Sequence, residues 1–237
     1  MNISQETLNI IANFATINQN IFIPAGNVIK TKTPSSMNVM AEATVQEEFT
    51  TDFAVYELSK LLNVLNLFDD PDINFHEGHL TVKKNSSEAS FAYSNKSLID
   101  AVMDYSKNIT APAPVLEFSL TEEAFKRIQK SAKLFDVTSI NISSHTDGII
   151  RVSASDAAMS KQNANKFTID IPSTTYSEDI SINIKLDSLR MYPGDYDVSI
   201  SIIDLTEQNR GKLGICRFIN TTLVDTQLKY TVAAEAE

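Results

Sequence analysis

The sequence of 237 residues is 43% hydrophobic, which supplies enough apolar side chains for one large core or for two domains of ordinary size. No apolar run approaches the roughly 18 residues of a membrane span, and residues 1–6 lack the basic segment of a signal peptide, so we expect a soluble protein without a membrane partner. The 30 acidic and 20 basic residues give a net charge of −10, which excludes an overall basic coat for nucleic acid but leaves a local basic surface possible.

The first periodic segment predicts a helix from Ser4 to Ile17, because Ser4 is a good N-cap and apolar residues follow at helical spacing. Its core face is predicted to contain Leu8, Ile11, Ala12 and Ala15. The opposite face is predicted to contain Asn9, Asn13 and Thr16. This opposite face carries no charge.

Strands are predicted to follow this helix and a second one. Residues 20–23 and 27–31 have strand composition, and the residues at 24–26 are Pro, Ala and Gly, so the two strands are predicted to pair as a hairpin through a tight turn. The second helix is predicted over 57–68, where leucines recur at helical spacing. Another pair of strands is predicted at 73–75 and 79–83.

Residues 107–115 interrupt the periodic pattern with two prolines in alternating positions, as a stiff extended connector does. We therefore predict an N-terminal domain over 1–108, a connector over 109–117 and a C-terminal domain over 118–237. The second half is predicted to contain a helix over 121–135, a hairpin across Asp147 and Gly148, and then strands and a short helix at 166–171, 180–184, 186–191, 196–204, 212–218 and 227–233. The element order of the first half recurs, which predicts an α+β protein of two similar domains, each with two helices and antiparallel sheets.

The helix predicted over 121–135 has a basic face. Four of the 20 basic residues fall within positions 126–133, where an even spread would place about one. They are Lys126, Arg127, Lys130 and Lys133. The apolar face on the other side is formed by Phe125, Ile128, Ala132 and Phe135. Such a pattern is most often an ordinary solvated helix face, and it is also compatible with a surface that contacts the phosphates of DNA without reading its sequence. Polar positions of the first two helices, Asn9, Asn13 and Lys60, would extend such a surface.

Residues that resemble chemical sites are few. His76 and His79 have an H-x-x-H spacing, but two side chains beside a turn are weak metal ligands. Residues 210–212 do not match a phosphate-binding loop, and His145 reads as a hairpin residue. The single cysteine, Cys216, lies in an alternating apolar run and fits a small buried side chain. We predict no catalytic site, no metal and no cofactor.

Four ordered motifs are similar to the DNA polymerase sliding clamps of T4-type bacteriophages. They are Asn13–Asn18 with the apolar residues around Gly26, Val55–Leu58, Met191–Tyr196 and Tyr230–Ala236. Together they span nearly the whole chain. The sequence departs from the family because it has no basic residue between Ser4 and Ile17 and carries extra residues around 42–51, which makes the role of the first helix in contacting DNA an open question.

The resemblance implies a DNA clamp fold and a closed homotrimer of six domains, with helices lining the hole. It further implies that the ring encircles double-stranded DNA, that an ATP-driven clamp loader opens it, that a DNA polymerase docks on it, and that it serves late transcription, all in the cytoplasm of the infected bacterial host. The DNA-facing residues would be Lys126, Arg127, Lys130, Lys133, Lys60, Asn9 and Asn13. Partner peptides would dock in an apolar pocket at Val115, Leu116, Tyr230 and Val232, unless these four are plain core residues.

Two other classes remain open from the sequence alone. One is a DNA-free phage structural or interaction protein with a similar two-domain layout. The other is an unrecognised small-molecule enzyme. Size in solution separates a clamp from the first class, since a trimer has three times the 26.2 kDa mass of the chain, and a bound metal or cofactor would indicate the second.

Overall fold

The computed structural model describes residues 1–34, 38–99, 103–104, 111–146, 148–155, 165–206 and 211–236, with the backbone alone for 235–236. Asp147 of the predicted hairpin turn, residues 109–110 of the predicted connector and Arg210 lie outside the described residues. The chain forms two compact units: unit 1 contains 1–107 and 225–228, and unit 2 contains 108–224 and 229–237. Within the described residues, none of the helices is long and apolar enough to cross a bilayer.

Unit 1 contains two α-helices, α1 (Gln5–Ile17) and α2 (Leu58–Leu65). The hydroxyl of Ser4 accepts a hydrogen bond from the amide of Thr7 at 3.2 Å, so the predicted N-cap is confirmed. The predicted core face of α1 is rotated from the real one. Ala12 is exposed and Leu8 only half-buried. The bulkier Ile10 and Phe14 fill the core instead, because they bury more apolar area than alanine.

The strands of unit 1 pair differently from the prediction. They are β1 (Ile21–Ile23), β2 (Gly26–Lys32), β3 (Val39–Phe49), β4 (Phe53–Val55), β5 (Asp72–Phe75), β6 (His79–Lys84) and β7 (Ser87–Ala92). The predicted β1–β2 hairpin is wrong, since β1 pairs with β4 and β2 with β3. Gly26 has φ 115° and the amide of Ala25 donates to Asp52 at 2.8 Å, so the chain turns a corner here and leaves the first sheet.

The second predicted strand pair of unit 1 is confirmed and is larger than expected. β5, β6 and β7 form a three-stranded antiparallel sheet, and the third strand had not been predicted. The rings of Phe49, Phe53, Phe75 and Tyr93 pack beside this sheet, with centroids 5.2–5.8 Å apart. Such tilted and edge-on contacts add to the stabilisation from burial.

Unit 2 is built on an antiparallel sheet in the order β11-β10-β9-β12-β15-β14-β13-β8. The strands are β8 (Leu116–Leu120), β9 (Ser139–Ser144), β10 (Ile149–Ser155), β11 (Lys166–Pro172), β12 (Ser181–Lys185), β13 (Tyr196–Asp204), β14 (Lys212–Asn220) and β15 (Gln227–Ala236). The single α-helix among its described residues is α3 (Glu122–Leu134). The α+β class with antiparallel sheets is therefore confirmed.

The second helix predicted for this half is only a short 3₁₀ turn, Leu186–Leu189. It starts directly after β12, and Pro193 and Gly194 redirect the chain soon afterwards, so there is no room for a longer helix. Gly194 has φ 139°, and a Cβ atom there would lie 2.6 Å from the side-chain Nδ2 of Asn220. The turn therefore requires glycine.

Candidate nucleic-acid interface and docking surface

The basic face of α3 forms as predicted. Thr121 caps the helix by accepting from the amide of Ala124 at 3.2 Å, and the acidic first turn suits the positive end of the helix dipole. Phe125, Ile128 and Ala132 are buried on the sheet side. Lys126, Arg127, Lys130 and Lys133 are all exposed on the other side.

These four cations have different surroundings. Lys126 forms an i,i+4 ion pair with Glu122. The guanidinium of Arg127 lies over the ring of Phe167 on β11, 5.7 Å from its centroid. In the described part of the chain no ion pair involves Lys130 or Lys133. The strongest unshielded positive charge is thus near the C-terminal half of the helix, where cations are also favoured by the dipole.

The first two helices supply an uncharged surface. α1 and α2 enclose a groove of about 320 Å³, and the exposed Asn9 is one of its lining residues. Asn13 is half-buried and lies outside that lining. Lys60 is exposed on α2 but forms an ion pair with Glu57, so its charge is partly compensated.

The predicted partner pocket is not a surface pocket. Leu116, Tyr230 and Val232 are 0% exposed, and only Val115 of the four residues is half-buried. The hydroxyl of Tyr230 accepts a hydrogen bond from the amide of Tyr192 at 3.1 Å, and its ring packs edge-on against Tyr196. These three side chains belong to the core of unit 2.

The partly exposed apolar residues of this sheet lie next to the buried ones along each strand, on the opposite face. Because side chains alternate between the faces of a strand, a shift of one residue exchanges core and surface. On the outward face, Ile215 lies directly opposite Ser201 on one side and Ala233 on the other. Ile203 lies opposite Leu213 beside them. The four apolar residues of this outward patch, Ile203, Leu213, Ile215 and Ala233, are half-buried.

Residues 111–115 cross the same outward face. The hydroxyl of Ser201 donates to the carbonyl of Pro112 at 2.8 Å, and the amide of Val115 donates to the carbonyl of Ile200 at 2.7 Å. The extended segment is therefore fixed beside the outward patch. In β15, Lys229, Thr231 and Ala233 alternate with the core residues, and this alternation in the sequence predicts that they lie on the outward face.

The residues that resembled chemical sites are placed as follows. The rings of His76 and His79 stack with centroids 4.7 Å apart, and Nε2 of His76 lies 3.1 Å from the hydroxyl of Thr81. In the ranges that the structure describes, no group of three potential metal ligands is found. Burial raises the pKa of Cys216 to about 12, which keeps this thiol protonated and unreactive at neutral pH.

Comparisons with known proteins agree on one family. Residues 4–101 match a family model described as DNA polymerase processivity factor. The chain is 26% identical to the sliding clamp of Vibrio phage KVP40 over the full length of both, and 23% identical to that of Enterobacteria phage T4 over 100% of this chain and 98% of that one. Among solved structures, the A. fulgidus PCNA bound to the C-terminal region of FEN-1 superposes with a TM-score of 0.67 at 12% identity, covering 97% of this chain and 95% of that chain. That likeness confirms the clamp fold.

Proposed function

Because the chain belongs to the sliding-clamp family of DNA polymerase processivity factors, we propose that it encircles duplex DNA as a closed homotrimer and tethers the replicative polymerase to its template. A processivity factor is a non-enzymatic scaffold, so its contribution is topological. A ring cannot leave DNA sideways, and a polymerase bound to it stays on the template through many cycles of synthesis.

The observation that carries the DNA proposal is the exposed basic face of α3. In a chain with a net charge of −10, four cations gather on one exposed helix face while the apolar face of that helix is buried. Phosphate contacts by such cations are independent of base sequence and therefore allow the protein to slide. A trimer would present three copies of this face.

The homotrimer is supported by the two-unit chain, since three such chains supply the six domains of a clamp ring. A head-to-tail contact that closes on itself gives a ring of fixed size. Light scattering at micromolar concentration should give three times 26.2 kDa. A stable monomer or a twofold dimer would contradict the trimer.

Further partners are part of the same proposal. A closed ring needs an ATP-driven loader to open it on circular or long DNA. We also propose a role in late transcription and a location in the cytoplasm of the infected bacterial host, which the phage origin of the similar clamps supports. Binding of the phage late-transcription proteins to the purified trimer tests the role in late transcription directly.

We propose that partner peptides dock on the outward patch of unit 2 rather than at the buried Leu116, Tyr230 and Val232. Half-buried aliphatic side chains beside a fixed extended segment provide a small apolar anchor site. Ile215→Asp is expected to weaken polymerase binding at least tenfold without unfolding the trimer. The matched change on the inward face, Val232→Asp, should unfold unit 2 because it buries an unpaired carboxylate. Wild-type affinity in the Ile215 variant would overturn this site.

A further inference from the structure

A cavity of about 650 Å³ opens in unit 1 where the start of α1 meets the end of α2 and the turn before β5. This volume is typical of ligand sites in proteins. The cavity adjoins the groove between the two helices, but three carboxylates line it, whereas the groove has none. We call it the acidic cavity after these residues, Glu47, Asp69 and Asp70.

Apolar side chains form another part of the lining. Leu65 is buried, and the other four are half-buried, so they keep part of their surface in contact with water. These four are Ile3, Leu8, Phe68 and Pro71. Removing apolar surface from water is the main favourable contribution to most protein association, so this part of the cavity favours an apolar group of a ligand.

The charges of the lining are all negative. Lysine, arginine and histidine are absent from the lining residues that the structure describes. Asp69 is exposed, and in the described part of the chain its carboxylate makes no ion pair or hydrogen bond. Asp70 accepts from Nδ2 of Asn2 at 3.1 Å and lies 3.5 Å from Nζ of Lys84, so its charge is partly compensated. The cavity therefore attracts a cation.

The walls of the cavity are held in place by the protein itself. Glu47 on β3 accepts from the amide of Ser4 at 2.5 Å and from the hydroxyl of Thr7 at 2.6 Å, which fixes the start of α1 against β3. On the other side, the amide of Ile73 on β5 donates to the carbonyl of Met1 at 2.9 Å. A site whose walls are already ordered loses less conformational freedom when a ligand binds.

We infer that the acidic cavity is a docking site for a short basic segment of a partner protein, in which a lysine or arginine lies next to an apolar residue. The carboxylates match the cation, and the half-buried apolar side chains match its neighbour. The aliphatic stem of a lysine or arginine can also cover apolar surface while its charged end lies beside a carboxylate.

The choice of a protein segment rests on the proposed function. Proteins that work on DNA carry lysines and arginines to bind phosphates, so the partners of a clamp on DNA have basic segments to offer. DNA itself does not fit the acidic cavity, because its phosphates are repelled by the carboxylates. The cavity thus adds a docking site in unit 1 to the apolar one proposed in unit 2.

The test measures binding of a fluorescent eight-residue peptide, in which lysine alternates with leucine and phenylalanine, to the purified full-length protein. The parent should bind it at least about tenfold more tightly than two control peptides. One control has glutamate in place of lysine, and the other has serine in place of leucine and phenylalanine. Equal affinity for the three peptides overturns the inference.

Matched variants locate the binding, because a protein with a net charge of −10 attracts basic peptides over its whole surface. Asp69→Lys should weaken binding about tenfold at low salt, and by less at high salt, where the attraction is screened. Glu48→Lys makes the same charge change at an exposed site on the other face of β3 and should stay within about twofold of the parent. Both positions are exposed, so the melting temperatures should match that of the parent. Equal weakening in both variants overturns the inference.

The apolar part of the cavity is tested by Phe68→Ala, which should weaken binding about fivefold. Its control is Leu67→Ala, which removes a side chain that is 73% exposed and outside the lining, and which should bind like the parent. If Phe68→Ala has no effect and the linear amine spermidine displaces the peptide, the cavity binds a small cation and the inference is overturned. Retention of the parent on end-blocked DNA tests the proposed function separately, and the variants should be retained like the parent.

Discussion

The helices of the two units differ in the charge of their exposed surfaces. In unit 2, α3 concentrates four exposed cations on one face, whereas in unit 1 α1 and α2 share a groove without a single charge. A neutral surface supplies little attraction to phosphates, whereas a basic one attracts them without regard to base sequence. The comparison shows that positive charge is distributed unequally among the helices of one chain.

The largest expected effect comes from removing the basic face. Replacing Lys126, Lys130 and Lys133 together by glutamine should reduce loading and clamp-dependent synthesis about tenfold at low salt, and by less at high salt, because the lysine–phosphate attraction that is lost is itself screened by salt. Trimer mass and thermal stability should be nearly unchanged, since all three side chains are exposed.

The matched control for this variant removes three exposed lysines that lie on strands, Lys83, Lys185 and Lys212. It changes net charge by the same amount and should support synthesis like the parent. Equal activity of both triple variants across salt concentrations would show that the face of α3 is an ordinary solvated one.

The groove of unit 1 should depend on Gln19. Gln19→Ala removes the cap of α2 and its hydrogen bond to α1, which should cost about 1–2 kcal/mol of unfolding free energy. Urea denaturation measures this loss. Gln5→Ala, which removes one exposed hydrogen bond, should cost less than about 0.5 kcal/mol, so equal losses in the two variants would contradict the role of Gln19.

The start of α1 adds a pH dependence to the stability of the protein. Burial by itself would raise the pKa of Glu47, but hydrogen bonds from the hydroxyl of Thr7 at 2.6 Å and the amide of Ser4 at 2.5 Å outweigh it and hold this pKa below its ordinary value near 4.5. Because the folded state favours the ionised carboxylate, its stabilisation is present above the unfolded pKa and is lost as the pH falls through the lowered one.

The free energy of unfolding of the Glu47→Gln variant should therefore be about 1 kcal/mol lower than that of the parent at pH 7. This difference in stability should become smaller at acid pH below about 4. Thermal melts across pH measure both. The exposed neighbour Glu48 provides the control, since Glu48→Gln should leave the stability at pH 7 within about 0.5 kcal/mol of the parent. A gap that stays constant down to low pH would contradict the role of the carboxylate.

The smallest effect is expected at the edge of the basic face. Phe167→Ala removes the ring under Arg127 and should weaken DNA contact about twofold, because cation–π contacts at exposed sites are worth only about 0.5–1 kcal/mol. Phe167→Tyr keeps the ring and should behave like the parent. A larger loss with alanine than with the triple glutamine variant would move the centre of DNA contact from the lysines to Arg127.

Elements whose periodicity and caps agree were predictable, and α3 is the clearest case. Its buried face and its exposed cations follow from local sequence alone. The face of α1 was misplaced because Leu8 and Ala12 are apolar yet line a groove, and apolar spacing does not distinguish a groove from a core. Partner strands were harder still, since β1 pairs with residues thirty or more positions away.

The core face of β15 was taken for a surface for a related reason. Tyr230 and Val232 are large and apolar, which suits an anchor site as well as a core, and only the register with β14 decides which face is covered. The return of 225–228 to unit 1, fixed in part by the bond between Thr226 and Glu6, links positions 220 residues apart and leaves no local signal.

Encirclement of DNA can be tested without a loader, because a closed ring threads onto the free ends of linear duplex. The labelled protein is incubated with biotin-ended DNA, streptavidin is added either before or after it, and retention is measured after a high-salt wash. The account predicts retention only when the protein is added before the ends are blocked. Retention that is independent of the order of addition, or absent in both orders, would contradict a ring around DNA.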